Sequence, residues 1–155
     1  MTSMMQVVEK TLLEEDISYK PLPHDPRSLA IRFQGLQGEW LSVAVVREEA
    51  QEFVFYSVAP QSVPEERRAV IAEYLMRANY GLSIGSFEMD FDDGEVRFRT
   101  GLDVENDRLS SALLKSLIYS NWVTMDRYLP GLQAVIDAQM SPSEAIEQAE
   151  KPDEE

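Results

Sequence analysis

The fold is decided by residues 29–59, which read LAIRFQGLQGEWLSVAVVREEAQEFVFYSVA. Apolar and polar residues alternate from Leu29 to Phe33, and two more runs of strand-forming residues follow at Trp40–Val46 and Phe53–Ala59. The connections between the runs are short and polar, and the first of them contains two glycines. The stretch therefore predicts a three-stranded antiparallel meander.

The third strand of this meander is apolar on both of its faces, because Phe53 to Val58 read FVFYSV. Strands of this kind usually lie inside a sheet, since both faces must be kept from water. We expect a central strand that is covered on both sides, with the second cover coming either from the chain itself or from a partner.

Helices are predicted on both sides of the meander. Apolar residues at helical spacing predict an amphipathic helix over Ser3–Asp16, and three prolines then allow at most a short edge strand at Ile17–Lys20. Residues 62–65 read SVPE, a capping box with a proline in the first turn, and Gly81 supplies a left-handed stop. The apolar face of this second helix consists of Val70, Ile71, Tyr74, Leu75 and Ala78.

A β-hairpin is predicted after the second helix. If Asp93-Gly94 forms a two-residue type I′ turn, Met89 lies opposite Phe98 and Glu88 lies opposite Arg99. Apolar then faces apolar and acid faces base, so the pattern and the turn agree on this register.

The last third of the chain is predicted to be helical. Asn106 can cap a helix from about residue 107 to 128, and Pro130 must kink or restart it. A further short helix starts at Ser141-Pro142. Residues 144–155 hold six acids and one base, which predicts an acidic tail that is solvated and is disordered after Lys151.

We therefore expect a single α+β domain over residues 1–143, in the order α-βββ-α-ββ-α, with a helical or disordered tail at 144–155.

Two apolar stripes run along the predicted long helix, and one sheet cannot cover both of them. The second stripe contains Leu114, Ile118, Trp122 and Met125. These four residues are candidates for a homodimer seam or for the binding of a protein segment, unless the helix lies in a groove of its own domain.

Composition excludes several classes of chemistry. The chain has 155 residues with no cysteine and one histidine, so disulfides, thiolate nucleophiles and sites with two histidines are impossible. Its net charge of −14 disfavours nucleic acids and anionic membranes. The sequence predicts no metal, no cofactor and no membrane insertion, and the lack of an export signal favours a cytoplasmic location.

One short motif resembles a catalytic one. Residues 81–85 read GLSIG and match the nucleophile elbow of serine hydrolases, but that elbow follows a strand, whereas Ser83 follows a helix. Glu88 and Asp90 could form a pair for acid/base catalysis, although arginines lie opposite them in the expected hairpin. The interpretation is that the protein is not an enzyme; a hydrolase using Ser83 or the Glu88/Asp90 pair is the alternative. A small-ligand sensor, with an apolar pocket between the meander and the long helix, is a third possibility.

A family resemblance extends these expectations. Residues 77–82 (RANYGL), 85–90 (GSFEMD), 93–100 (DGEVRFRT) and 126–130 (DRYLP) resemble the YbjN-domain family of bacterial sensory transduction regulators. The resemblance covers most of residues 5 to 140. It implies a fold like that of type III secretion chaperones, usually dimeric, with no catalytic residues to transfer.

The resemblance also suggests a function and a second set of interface candidates. It implies a non-enzymatic, chaperone-like regulatory module that acts as a homodimer and binds an unidentified protein partner on apolar surface. In chaperones of this shape the second helix and the following strand often form the dimer seam. By that analogy the candidates in this chain are Val70, Tyr74, Ala78, Phe87 and Met89.

Overall fold

A computed structural model describes residues 2–152 of the chain. Within these residues the fold is α+β, with one antiparallel sheet of six strands and four α-helices. In chain order the elements are α1 (Met4–Glu14), β1 (Lys20–Leu22), β2 (Asp25–Gln34), β3 (Glu39–Arg47), β4 (Glu52–Val58), α2 (Arg68–Tyr80), β5 (Ser86–Met89), β6 (Val96–Asp103), α3 (Ser111–Ile136) and α4 (Pro142–Ala149). A short 3-10 turn, Glu65–Arg67, precedes α2.

The predicted meander is confirmed as β2, β3 and β4. Phe33 pairs with Trp40, and Val46 pairs with Phe53, so both connections are tight and antiparallel. The strand order is β1-β2-β3-β4-β6-β5, which places β4 inside the sheet as its apolar sequence predicts. The edge strand β1 differs from the expected one, because it begins at Lys20, where the expected strand ended. Pro21 takes part in it and pairs with Leu29 across the sheet.

The hydrophobic core lies between one face of the sheet and the helices. Phe53 and Phe55 of β4 are fully buried on this face, and α3 packs across them with its second apolar stripe. Leu114, Ile118, Trp122 and Met125 are at most 4% exposed. The helix therefore lies in a groove of its own domain, and the interpretation of this stripe as an outward-facing surface is wrong.

A buried polar network joins α3 to the sheet. Asn121 is completely buried, and its Nδ2 donates to the carbonyl oxygens of Phe55 and Phe98 at 3.0 and 3.1 Å. Its Oδ1 accepts a hydrogen bond from the Ser57 hydroxyl at 2.5 Å. Because buried polar groups must be paired, this network fixes the position of α3 along β4 and β6.

The predicted hairpin forms with a different register. Met89 pairs with Val96, and Glu88 pairs with Arg97, two residues away from the expected partners. The type I′ turn at Asp93-Gly94 is replaced by a six-residue loop over residues 90–95. A residue outside the hairpin holds this loop in place, because the Val63 amide donates a hydrogen bond to the Gly94 carbonyl at 2.9 Å.

Several helix ends also differ from expectation. The Ser62 side chain does not cap a helix, because α2 starts after the 3-10 turn with no side-chain cap. Gly81 ends α2 with φ −94°, so no left-handed residue is needed there. Ser110, not Asn106, caps α3, and this helix continues through Pro130 to Ile136.

The short C-terminal helix is confirmed as α4, with the capping box at Ser141 and Glu144. The expectation of a solvated tail is wrong for this helix, because Ala145 is completely buried where α4 packs on α2 and α3. The disorder expected after Lys151 concerns mainly residues 153–155, which lie outside the described residues. Between residues 2 and 152, no helix is both long enough and apolar enough to cross a membrane.

Candidate protein-interaction surfaces

The serine-hydrolase alternative depends on Ser83, which lies between α2 and β5. Its side chain is exposed, and its hydroxyl has no hydrogen bond to any residue from 2 to 152. The local order is helix, turn, strand, the reverse of a nucleophile elbow. His24, the only histidine, is exposed in the β1–β2 turn. Among residues 2–152, no general base is hydrogen-bonded to Ser83.

The carboxylate alternative depends on Glu88 and Asp90. Arg97 donates to Glu88 at 2.5 Å, and Arg99 lies 3.4 Å from the other oxygen, so two guanidinium groups occupy this carboxylate. Asp90 instead accepts from the Asp92 backbone amide at 2.8 Å, as part of the loop. Both carboxylates therefore act as structural hydrogen-bond acceptors. In the described part of the chain, no group of three acidic or histidine side chains is arranged to hold a metal.

Aromatic rings fill the space between the meander and α3, where a small-ligand sensor would need its pocket. Trp122 stacks on Phe33 with centroids 4.1 Å apart, and it meets the edge of Phe55 at 5.8 Å. Its Nε1 donates to the Ser42 hydroxyl at 2.8 Å. This region is a packed core, and it leaves a ligand no room without rearrangement.

Most of the predicted interface residues are covered by the chain itself. Of the set on α2 and β5, Tyr74 and Ala78 are completely buried and Phe87 is 5% exposed, whereas Val70 and Met89 are half-buried. With the four residues of α3, seven of the nine candidates are unavailable to a partner in this conformation. The apolar surface that remains lies elsewhere.

The first such surface is the face of the sheet that the helices leave uncovered, here called the open face. Side chains alternate along each strand, so the residues between the buried ones of β3 and β4 point to this side. They form opposed pairs across the two strands, and Leu41 is 43% exposed while the others are half-buried by one another. The apolar centre of the open face consists of Leu41, Val43, Val45, Val54, Tyr56 and Val58.

Charged residues frame this apolar centre, and most of them are paired with each other. The Arg97 guanidinium lies 4.1 Å from the centroid of the Tyr56 ring, a cation–π contact that holds both side chains on the face. The charged side chains of β2 to β6 on this side are Arg32, Arg47, Arg97, Arg99, Glu39, Glu52, Glu88 and Asp103. Lys20 of β1, which pairs with Ala30, lies on the same side, so five positive and four negative charges leave the open face close to neutral.

Both edges of the sheet offer little backbone to a further strand. At the β5 edge, the Asn79 side chain from α2 donates to the Phe87 carbonyl at 3.0 Å and accepts from the Phe87 amide at 2.7 Å. At the other edge, β1 has only three residues, and one of them is Pro21, which has no N–H. A partner strand therefore finds a poor template at either edge, and the open face is the accessible part of the sheet.

The second apolar surface is a groove between the end of α2 and α4, here called the α2–α4 groove. It has a volume of about 660 Å³ and is lined by Met76, Arg77, Asn79, Tyr80, Gly81, Ile146 and Glu150. Met76 is 70% exposed and Tyr80 is 96% exposed. Sequence reasoning missed both residues because they lie outside the main apolar arc of α2, although their spacing of four places them side by side.

Glu150, on the polar rim of the α2–α4 groove, is held by the buried Tyr128. The Tyr128 hydroxyl donates to Glu150 Oε1 at 3.2 Å. Burial raises the pKa of this hydroxyl, and the neighbouring Glu150 carboxylate raises it further, so Tyr128 keeps its proton. Arg127 donates to the Ala149 carbonyl at 2.8 Å and fixes the end of α4.

Comparisons with known proteins agree with this architecture. A family model named YbjN, described as "Putative bacterial sensory transduction regulator", matches residues 5–134. A comparison with curated protein sequences found no match.

Solved structures show the same fold. YbjN from E. coli, described as a putative transcription regulator, has a TM-score of 0.61 at 10% identity, over 84% of this chain and 90% of that one. The HopA1–SchA chaperone–effector complex has a chain with a TM-score of 0.52 at 10% identity, over 79% and 89%. A chain of the ExsC–ExsE complex has a TM-score of 0.47 at 12% identity, over 81% and 92%. The first two of these matches give the fold as type III secretion chaperone-like.

Proposed function

Because the chain belongs to the YbjN family, whose model spans residues 5–134, we propose that it is a non-enzymatic regulatory module that acts as a homodimer and holds a segment of another protein on apolar surface. The observation that carries this proposal is the exposure of Met76 and Tyr80 beside the α2–α4 groove. Large apolar side chains left in water next to a concave surface are typical of protein contact sites.

The absence of a reactive arrangement supports a binding role over catalysis. Ser83 is exposed with no hydrogen-bond partner among residues 2–152, and the Glu88 carboxylate is occupied by Arg97 and Arg99. A chaperone in the HopA1–SchA complex is described with its effector, and that chaperone-like fold is compatible with the binding of a protein segment. Fold likeness alone does not define an activity, so the proposal rests on the groove.

The groove indicates the chemistry of the segment. Its apolar floor and walls suit one or two large apolar side chains of a partner, placed between Tyr80 on α2 and Ile146 on α4. Arg77 and Glu150 on its rim offer one charge of each sign to the polar residues beside them. We therefore propose an amphipathic segment with aromatic or long aliphatic anchors as the ligand.

A displayed library of random peptides, selected on the full-length protein, tests this proposal. Enriched peptides should carry apolar anchors and should bind in solution with an affinity measurable by fluorescence anisotropy. Tyr80→Glu should weaken that binding about tenfold or more, because it places a charge in the apolar contact. Tyr80 is 96% exposed, so this substitution leaves the fold intact.

Val123→Glu provides a matched control, since Val123 is a 68% exposed apolar residue on the outer side of α3. It should leave peptide binding unchanged. Failure to enrich any peptide, or peptides that bind Tyr80→Glu as tightly as the unaltered protein, would contradict the proposed segment-binding role.

A further inference from the structure

We infer that the open face is the seam of the homodimer, so that two copies of this chain pack sheet against sheet around the Val43–Tyr56 pair. The inference rests on the proposed function, which includes a homodimer but does not locate its interface. Three observations carry it: the size of the open face, its local charge, and the poor template that the sheet edges offer.

The size of the open face matches that of a second sheet. Strands lie about 4.8 Å apart and rise about 3.4 Å per residue, so the five strands β2 to β6 present a surface of roughly 20 by 24 Å. The apolar centre occupies only β3 and β4, and an α-helix about 10 Å wide could lie along it, but that helix would leave the charged side chains of the outer strands uncovered. A sheet of equal size, packed at the usual spacing of about 10 Å, covers all six apolar residues.

The buried area is sufficient for a dimer. A planar footprint of this size is about 500 Å² per copy, or about 1,000 Å² for the pair, and protruding side chains add to the true accessible area. Specific interfaces start at about 1,000 Å² in total. The expected dimer is therefore one that dissociates in a measurable concentration range.

Charge also selects the open face for self-association. The five basic and four acidic residues on it nearly cancel, which leaves 9 basic and 24 acidic residues, a net of −15, on the rest of the chain. On balance, the rest of the chain repels a second copy, because its net charge is strongly negative. Salt screens this repulsion over distances beyond about 10 Å, so added salt should strengthen the dimer. A basic protein bound to this acidic chain would show the opposite behaviour, because added salt would weaken that complex.

The sheet edges disfavour the main competing geometry for two β-proteins. Continuous sheets form when edge strands pair, but Asn79 already satisfies both backbone groups of Phe87 at the β5 edge. Pro21 interrupts the short β1 edge. Face-to-face packing remains, and it is isologous, since each copy contributes the same residues around a two-fold axis.

Sedimentation equilibrium of the full chain over a concentration series, at low and at high NaCl, tests the inference. The unaltered protein should be a dimer whose dissociation constant falls as salt rises. Val43→Arg should raise that constant about tenfold or more, because two buried arginines would meet near the axis. Met76→Arg, at an exposed apolar residue on α2, is the matched control and should leave dimerisation unchanged.

A second measurement covers the case in which Val43→Arg does not fold. The chain has no cysteine, so Val43→Cys introduces a single thiol, and a short bismaleimide should link two copies of it. Met76→Cys should not cross-link at the same concentration. An unaltered protein that is monomeric at every concentration overturns both the seam and the homodimer, while peptide binding at the α2–α4 groove still tests the rest of the proposed function. A dimer that is insensitive to Val43→Arg and unlinked by Val43→Cys overturns the seam alone.

Discussion

Asn79 replaces a neighbouring strand for Phe87, because its side-chain amide bonds both the N–H and the C=O of that residue, at 2.7 and 3.0 Å. The contact joins the last turn of α2 to the outer edge of β5. It satisfies the backbone groups that an edge strand otherwise exposes, and so it closes that side of the sheet against added strands.

Replacing Asn79 with leucine should destabilise the protein by about 1–3 kcal/mol, because the two backbone groups of Phe87 lose their partners in a half-buried setting. Urea denaturation measures this cost, and hydrogen exchange should show faster exchange of the Phe87 amide. Arg77→Ala, which removes an exposed ion pair with Glu73 on the same helix, should change the stability by no more than about 0.5 kcal/mol. Equal effects of the two variants would show that the Asn79 contact adds nothing.

Two glycines should respond differently to alanine. Gly94 has φ +77°, and an added Cβ would overlap the carbonyl oxygen of Val63, so Gly94→Ala should cost at least about 2 kcal/mol. Gly81 has φ −94° and only Glu150 Oε1 nearby, at 3.9 Å, so Gly81→Ala should be neutral or stabilise by up to about 1 kcal/mol. Thermal unfolding compares them. A large loss in Gly81→Ala would mean that the helix end requires glycine after all.

Replacing Asn121 should destabilise the protein by more than the loss of one hydrogen bond. Asn121→Leu keeps a similar volume, but it leaves the Ser57 hydroxyl and the Thr100 hydroxyl short of a partner in the core. We expect a loss of about 2–4 kcal/mol in chemical denaturation. Ser120→Ala removes a hydroxyl that bonds only the Leu117 carbonyl of its own helix, and it should cost less than about 1 kcal/mol. A near-neutral Asn121→Leu would indicate that apolar packing positions α3 without the network.

Tyr74 should make the protein sensitive to alkali. Its hydroxyl donates to the Tyr128 carbonyl at 2.7 Å, and burial raises the pKa of Tyr74 well above its usual value. Because the pKa of Tyr74 is higher in the folded state than in the unfolded state, the folded state is stabilised while this hydroxyl is protonated. The contribution of Tyr74 to the free energy of unfolding is complete below about pH 10 and decreases as the pH rises above it.

Tyr74→Phe should therefore lose about 1 kcal/mol at neutral pH and should show a shallower fall in stability above about pH 10. Urea denaturation across this pH range gives both values. Tyr19, Tyr119 and Tyr128 also have raised pKa values, so a residual alkaline fall is expected. A parallel fall in Tyr74→Phe and the unaltered protein would show that Tyr74 is not the group responsible.

The sequence by itself determined the meander and the position of β4 inside the sheet. Alternation with a period of two fixes which side chains share a face, and it does so from local information alone. The capping boxes of α1 and α4 are equally local, because each one needs only residues three positions apart.

The tertiary structure decided the hairpin register and the surfaces that remain open. A shift of two residues keeps every hairpin side chain on its own face, so the polar pattern could not distinguish Met89 opposite Phe98 from Met89 opposite Val96. Distant contacts made that choice, through the Val63–Gly94 hydrogen bond and the Arg68 side chain on the Phe91 carbonyl. The burial of the second stripe of α3 was decided in the same way, because it depends on which elements pack together in space. A periodic pattern shows only that a helix has an apolar side.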